Sequence, residues 1–290
     1  MAASHATGML MNWTCPGGGG CNGGSATDAD EDAAYALLIA AKQWGGTYLA
    51  QATTMIGQIW GAEIDATAML PTGGSNYKNN GTPSANSPAT NPSYFAPAYY
   101  RIFGTIDTGH PWAAVADKAL AQLNTLNKGG LVPAWCANNC TVQGTNANAA
   151  DDALYQYDAH RVPWRVGLDA CWNGTAAAKS FVTSNAAFFA NKAKNGLGNV
   201  FDRYAISGDP AVSSTPAPQR NSMSAIGTAG VGAMAAGSAD FANRAYRFIL
   251  DANYTADPPT KKSAYTYFNG TVGLLTALTM SGNFPDYRNF

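Results

Sequence analysis

The stretch SATDADEDAAYALL, residues 25–38, places four acids within five residues, directly before an apolar run. Only 12% of the 290 residues are charged, so a cluster of carboxylates at one predicted helix start is unusual for this chain. Asp28 and Glu31 match a capping box, in which side chains satisfy free backbone N–H groups at the start of a helix. A cap does not account for all four acids. The alternative is a site that handles a neutral substrate with carboxylates.

Apolar residues recur at helical spacing after this cluster and through the rest of the chain, and the period predicts about nine helices. No alternating run predicts a strand. Residues 29–44 and 48–60 read as paired helices with a short turn, and Gly/Pro/Ser-rich stretches at 71–92 and 208–220 read as long loops. Further helices are predicted near residues 93–104, 113–127, 159–172, 175–195, 223–236, 239–253 and 264–281. We expect an all-α ring of helical hairpins whose loops gather around a cleft.

Composition excludes several classes of partner. The net charge is −1 and no Lys/Arg run occurs, so neither nucleic acid nor an anionic membrane surface is expected as a partner. No apolar run is long enough for a membrane helix. The 7 Trp and 14 Tyr, beside many neutral polar residues, suit stacking on sugar rings. No composition break divides residues 1–290, which we expect to form one catalytic domain.

The five cysteines bear on the compartment. Cys15 and Cys21 flank a Gly-rich loop, and Cys136 and Cys140 flank three residues. Both pairs could close small loops in an oxidising environment. Cys171 lies in an apolar helical stretch and is expected to be a buried thiol. No histidine lies near either pair, so no metal site is expected. The first residues lack the pattern of a signal peptide, so we expect a secreted protein whose leader is absent from this chain.

A second cluster, YDAHRVPWR, occupies residues 157–165. Asp158 and Arg161 are three residues apart and share one face of a helix. An arginine beside an aspartate keeps the carboxylate ionised, which suits a general base. A helix cap with a local ion pair is the alternative interpretation. His160 is expected to point away from the site.

The stretch NPSYFAPAYY, residues 91–100, leads from a loop into a helix start rich in tyrosine. Tyr94 sits where a phenol would face the cleft, whereas packing accounts equally well for Tyr99 and Tyr100. The chain has no nucleophile elbow, phosphate loop or dinucleotide fingerprint, so no cofactor is expected.

Together these stretches resemble a known family. ATDAD at residues 26–30, with the apolar residues that follow up to Trp44, closely resembles the signature of glycoside hydrolase family 8. Similar elements of that family are found at residues 91–100, 157–169, 227–237 and 281–284. The resemblance covers nearly the whole chain.

The resemblance implies an (α/α)6 barrel with a substrate cleft across one end. It also implies a cellulase-type enzyme, an inverting endo-acting hydrolase of β-1,4-linked glucan such as cellulose or mixed-linkage glucan. A xylanase or chitosanase of the same family is an alternative. The family's chitosanase-like base is a Glu in a long insertion, and no Glu follows Glu63 here, which argues against that subgroup.

Residue roles follow from the same resemblance. Asp158, in Tyr-Asp-Ala-x-Arg, is implied to be the general base, with Tyr157 and Arg161 orienting it and the water. Asp28 resembles the acid that grips the distorted sugar. The remaining substrate-binding candidates are Tyr94, Asp30 and Trp13, the last a sugar-stacking residue in Leu-Met-Asn-Trp.

The chain also departs from the family pattern. The family's general acid is a Glu in a Ser-Glu-Gly type motif, whereas the only glutamates here, Glu31 and Glu63, lie outside such a motif. About nine predicted helices are fewer than the twelve of a full barrel. We therefore expect that the N-terminal part of the barrel is absent, that Asp30 or Glu31 would have to replace the acid, and that the exposed helix faces favour a homodimer. A glycan-binding protein without hydrolysis is the alternative.

Overall fold

The structure is a computed structural model that describes residues 5–15, 21, 24–79, 82–83, 89–137, 142–143, 149–251 and 264–290. Its helices are α1 (Thr27–Trp44), α2 (Tyr48–Glu63), α3 (Pro97–Ile106), α4 (Trp112–Leu126), α5 (Ala149–Asp152), α6 (Tyr157–Asn173), α7 (Ala176–Lys192), α8 (Met223–Ala235), α9 (Ala239–Asp251) and α10 (Ala264–Met280). Nine helices in these ranges have ten residues or more, as predicted. Only the four-residue α5 was missed.

The strands are β1 (His5–Thr7), β2 (Leu10–Met11), β3 (Ile64–Asp65), β4 (Leu70–Pro71), β5 (Lys78–Asn79), β6 (Thr82–Pro83), β7 (Ala89–Thr90), β8 (Cys136–Ala137) and β9 (Val142–Gln143). They form three antiparallel pairs, β1–β2, β3–β4 and β5–β6, and one three-stranded sheet in the order β7–β8–β9. Each strand has two or three residues, so the sheets only tie loops together. The prediction of an all-α fold is confirmed.

Consecutive helices joined by short turns pack against each other, as α1 does with α2, α3 with α4, α6 with α7, and α8 with α9. Helices α6 and α8 are the inner members, because residues 162–170 and 224–233 are buried without interruption. Outer helices such as α4 and α9 bury one face only. The segments that precede the two inner helices meet, because the backbones of Tyr155 and Tyr204 pair with each other.

The starts of α1 and α6 position the acidic clusters. The N-cap of α1 is Ala26, with no side-chain cap hydrogen bond, and Asp28 lies in the first turn. The predicted capping box is therefore wrong, because Glu31 is fully buried and accepts a hydrogen bond from Tyr100. Helix α6 begins two residues earlier than predicted, which places Asp158 in its first turn. Free backbone N–H groups at both helix starts favour carboxylates there.

Two predictions about cysteines can be compared with the structure. A disulfide joins Cys15 to Cys21, as predicted. Cys140 lies outside the described residues, so the second pair stays a prediction. Cys171 is exposed rather than buried, because it lies on the outer side of the last turn of α6. Among the helices of the described ranges, none combines the length and apolar character that a membrane crossing requires.

Candidate active site

One guanidinium joins the two acidic clusters. Arg161 Nη1 donates to Asp28 Oδ2, and Arg161 Nη2 donates to Asp158 Oδ1 at 2.9 Å. The Asp158 side chain keeps 34% of its surface accessible, against 16% for Arg161 and 13% for Asp28. Burial alone would lower the pKa of Arg161, but the two carboxylates outweigh it and raise the pKa. A permanently charged arginine thus holds two carboxylates from different helices side by side.

Two aromatic side chains complete this group. The Tyr94 ring lies 5.5 Å from the Arg161 guanidinium carbon, and Trp135 Nε1 donates to Asp158 Oδ2 at 3.1 Å. The Trp135 and Tyr94 rings meet edge to face, with centroids 5.8 Å apart. Burial, and then the negative charge of Asp28, raises the pKa of Tyr94 well above its usual range, so the phenol keeps its proton.

A second ion pair repeats the first one helical turn further along α1 and α6. Arg165 donates to both carboxylate oxygens of Asp32, each at 3.0 Å, and only 1% of the Arg165 side chain is exposed. The two arginines are four residues apart on α6, and their aspartate partners are four apart on α1. The two helices therefore present matched rows of opposite charge, and the two ion pairs favour one register between them.

Asp30 and the two glutamates occupy a different environment. All three are completely buried. Asp30 Oδ1 accepts from the Met11 amide, and Glu63 Oε1 accepts from the Ser25 hydroxyl. Burial, followed by the neighbouring Asp30 carboxylate, raises the pKa of Glu63, and burial raises that of Glu31. Neither Asp30 nor Glu31 is placed to protonate a sugar oxygen in the cleft, and Asp30 has the surroundings of a structural carboxylate.

Tyr157 turns away from its neighbour Asp158. Its hydroxyl donates to Asp202 Oδ2 at 2.7 Å, and Arg203 lies over its ring. His160 is fully buried between Ser224 and the Asp202 carbonyl, so it points away from the site as predicted. These contacts anchor the first turn of α6, which carries the Asp158 carboxylate.

Trp13 lies on the chain between β2 and the disulfide loop. Its indole is 66% exposed, and its backbone amide donates to the Gly24 carbonyl at 3.0 Å. An exposed ring next to a covalently closed loop has the free face that stacking on a sugar requires. No contact between Trp13 and the Arg161 group is found among the described residues.

The structure therefore brings four of the sequence-predicted residues into contact around Arg161: Asp28, Tyr94, Asp158 and Arg161 itself. Sequence reasoning missed Trp135 and Asp202. Trp135 directly precedes Cys136, one of the two cysteines predicted to close a small loop. Its position beside that loop was the one feature of the sequence that could have indicated a role for this tryptophan.

The chain is similar to several known proteins. Residues 8–282 match the family model described as Glycosyl hydrolases family 8. Endoglucanase C of Ruminiclostridium cellulolyticum is 33% identical over 97% of this chain and 57% of its own length. Endoglucanase A of Acetivibrio thermocellus is 33% identical over 91% of this chain and 51% of its own length. The chain thus spans about half the length of the curated relatives it matches.

Solved structures share the fold. The apo β-1,3-1,4-glucanase of Paenibacillus sp. X4 superposes with a TM-score of 0.81 at 25% identity, covering 95% of this chain and 72% of that one. Rex8A of Paenibacillus barcinonensis, in complex with xylose, superposes with a TM-score of 0.76 at 21% identity, covering 98% and 74%. At 21% identity the second comparison bears on the fold alone, an (α/α)6 barrel type.

Proposed function

This chain belongs to glycosyl hydrolases family 8, and from that premise we propose that it is the catalytic domain, over residues 1–290, of an inverting endo-acting hydrolase of β-1,4-glucan. The observation that carries the proposal is the bridge from Arg161 to both Asp28 and Asp158 beside an accessible carboxylate. A structural ion pair would need neither two acids from separate helix starts nor a partly open carboxylate.

In the proposed reaction, Asp158 accepts a proton from a water molecule as that water attacks the anomeric carbon. The bond from this carbon to the leaving oxygen breaks, and the leaving oxygen takes a proton from solvent water, because Asp30 and Glu31 are fully buried and are not placed to donate one. Arg161 orients the carboxylate, and Asp28 hydrogen-bonds the sugar at the cleavage point. Tyr94 and Trp13 are proposed to bind or stack on the sugars. Tyr157, which donates to Asp202, is proposed to hold the first turn of α6 that carries Asp158.

Glucan is proposed ahead of xylan as the substrate. The relatives with 33% identity over most of this chain carry endoglucanase names. The xylose-bound structure is only 21% identical and supports the fold alone. The disulfide between Cys15 and Cys21 supports action outside the reducing cytosol, so we propose that the protein is secreted.

Reducing-sugar release from carboxymethylcellulose tests the proposal. Asp158→Asn keeps the size of the side chain but cannot take the water proton, and it should lower the rate by about 10²–10⁴, the usual contribution of a general base. Asp240→Asn is the matched control, because Asp240 is 84% exposed on the outer helix α9. Equal loss in both variants, or no loss in Asp158→Asn, contradicts the assignment. In a wild-type digest, the first product seen by NMR should be the α-anomer.

A second candidate function, glycan binding without cleavage, is favoured by one observation: both glutamates are fully buried. A β-cellotriosyl fluoride separates the candidates, because fluoride leaves without a proton from an acid. Hydrolysis of the fluoride that depends on Asp158, without hydrolysis of glucan, would show a working base and no acid. Hydrolysis of neither, with glucan still bound, would favour the binding function.

A further inference from the structure

Trp135 donates a hydrogen bond to Asp158, the proposed base, and this hydrogen bond was not predicted from the sequence. The Asp158 carboxylate receives Arg161 on Oδ1 at 2.9 Å and the Trp135 indole on Oδ2 at 3.1 Å. Each carboxylate oxygen accepts two hydrogen bonds, so one site on each oxygen remains for water or substrate. Two donors on opposite oxygens fix the rotation of the carboxylate plane, which a single donor would leave free.

The indole is itself held from several sides. The Tyr77 ring stacks on it with centroids 6.2 Å apart, and the Tyr94 ring meets its edge at 5.8 Å. A Cβ added at Gly73 would lie 3.2 Å from the indole and 3.1 Å from the Tyr77 ring, so the chain passes close beside both rings. Packing of this kind leaves the N–H little freedom to point elsewhere.

The backbone of Trp135 is tied to the segment that leads into α6. Its amide donates to the Asp152 carbonyl at 3.0 Å, and the Ala134 amide donates to the Leu154 carbonyl at 2.8 Å. Asp158 follows this segment directly, in the first turn of α6. The donor and the carboxylate therefore share one local frame, and relative movement of the two is restricted.

We propose that Trp135 is a positioning residue, which aims the Asp158 carboxylate at the attacking water through its indole N–H. The inference rests on the proposed role of Asp158 as the base. It distinguishes Trp135 from a sugar-stacking residue, since its action passes through a hydrogen bond to Asp158 and not through contact with the sugar.

Trp135→Phe keeps an aromatic ring and removes the donor. On β-cellotriosyl fluoride we expect kcat to fall about 10- to 100-fold, the range for one lost hydrogen bond to a charged group, while KM stays within about twofold. Trp44→Phe is the control, because Trp44 is 67% exposed at the end of α1. A higher KM with unchanged kcat would identify a stacking residue and overturn the proposal.

A second measurement keeps the test independent of turnover and of how well Trp135→Phe folds. In the wild-type protein, the NMR resonance of the Trp135 indole N–H should lie downfield because the group donates to a carboxylate, and it should move upfield in Asp158→Asn. An indole resonance that is unchanged in Asp158→Asn overturns the proposal. Full activity of Asp158→Asn would instead refute the proposed function, while the indole resonance would still report whether the contact exists.

Discussion

Arg161 is the residue on which the geometry of the site depends most directly, because it is shared by two carboxylates. A guanidinium offers several N–H groups in a fixed plane and reaches both acids at once, whereas an ammonium group is a single point of charge. The Tyr94 ring under the guanidinium adds a preference for the planar group. Replacement by lysine is therefore not a conservative change at this position.

We predict that Arg161→Lys lowers the free energy of unfolding by about 1–3 kcal/mol, since at least one charged hydrogen bond in a mostly buried group is lost. Without the guanidinium between them, the Asp28 and Asp158 carboxylates repel each other, and Asp28→Asn removes one of these two charges. The double variant should be less destabilised than the sum of the two single variants, with a coupling of about 0.5–3 kcal/mol. Urea unfolding of all four proteins measures the cycle. Additive effects would show that Arg161 and Asp28 are not coupled.

Asp30 lies away from the residues around Arg161, and helix geometry explains why. At 3.6 residues per turn, positions two apart differ by about 200° around the axis, so Asp28 and Asp30 face opposite sides of α1. Asp32, four residues after Asp28, shares its face and pairs with Arg165. The pattern that pairs Asp28 and Asp32 with arginines four apart was readable in the sequence. The burial of Asp30 beside Glu63 was not, because the predicted pairing of α1 with α2 does not say which faces of the two helices meet.

At the scale of elements, the sequence predicted the helices better than the contacts between them. Nine helices and two long loops were predicted from apolar period and Gly/Pro content, with α6 starting two residues earlier than expected. The contact of Trp135 with Asp158 was not predicted, because Trp135 lies outside any helix and is 23 residues from the carboxylate in sequence. Local patterns carry no information on such long-range contacts. Asp202 was missed for the same reason, since 45 residues separate it from Tyr157.

Helix α8 packs closely against its neighbours through glycine. A Cβ added at Gly230 would lie 2.6 Å from the Ala245 Cβ of α9, a distance that real Cβ atoms do not reach. Because Ala245 Cβ is fixed to its backbone, the two helices would have to separate. The close contact between α8 and α9 therefore depends on glycine, which has no side chain, at position 230.

We predict that Gly230→Ala lowers the free energy of unfolding by about 1–3 kcal/mol, the usual effect of overpacking. Gly57→Ala in α2 is the matched control, because no atom lies within 4 Å of the added Cβ. There the higher helix propensity of alanine should raise the free energy of unfolding by up to about 1 kcal/mol. Thermal unfolding of both variants gives the comparison. A stabilising effect at both positions would contradict the close packing of α8 on α9.

At the scale of the whole molecule, a chain with only 12% charged residues places many of them inside. Its pH response should therefore come from the interior. Burial lowers the pKa of His160 to about 3, so the unfolded chain binds a proton below about pH 6.5 that the folded chain does not. Stability falls as the pH drops from about 6.5 towards 3. Burial raises the pKa of Glu31 and Glu63, so above about pH 4.5 the folded chain keeps protons that the unfolded chain releases. Stability then falls as the pH rises.

The raised pKa values of two glutamates lower the stability as the pH rises, and the lowered pKa of one histidine acts in the opposite direction. The free energy of unfolding should therefore be largest on the acid side of neutrality. We predict that Glu31→Gln makes the decline of the free energy of unfolding between pH 5 and pH 8 shallower by up to about 1.4 kcal/mol per pH unit, the slope for one proton. The glutamine oxygen can still accept from Tyr100, which donates to Glu31 Oε1 at 2.7 Å, so the hydrogen bond survives while the titration is lost. Urea unfolding across this range measures the slopes. Asp240→Asn, at an exposed carboxylate, should leave the wild-type slope unchanged. An identical slope in Glu31→Gln would mean that Glu31 is already ionised in the folded protein, and that Arg165 outweighs its burial.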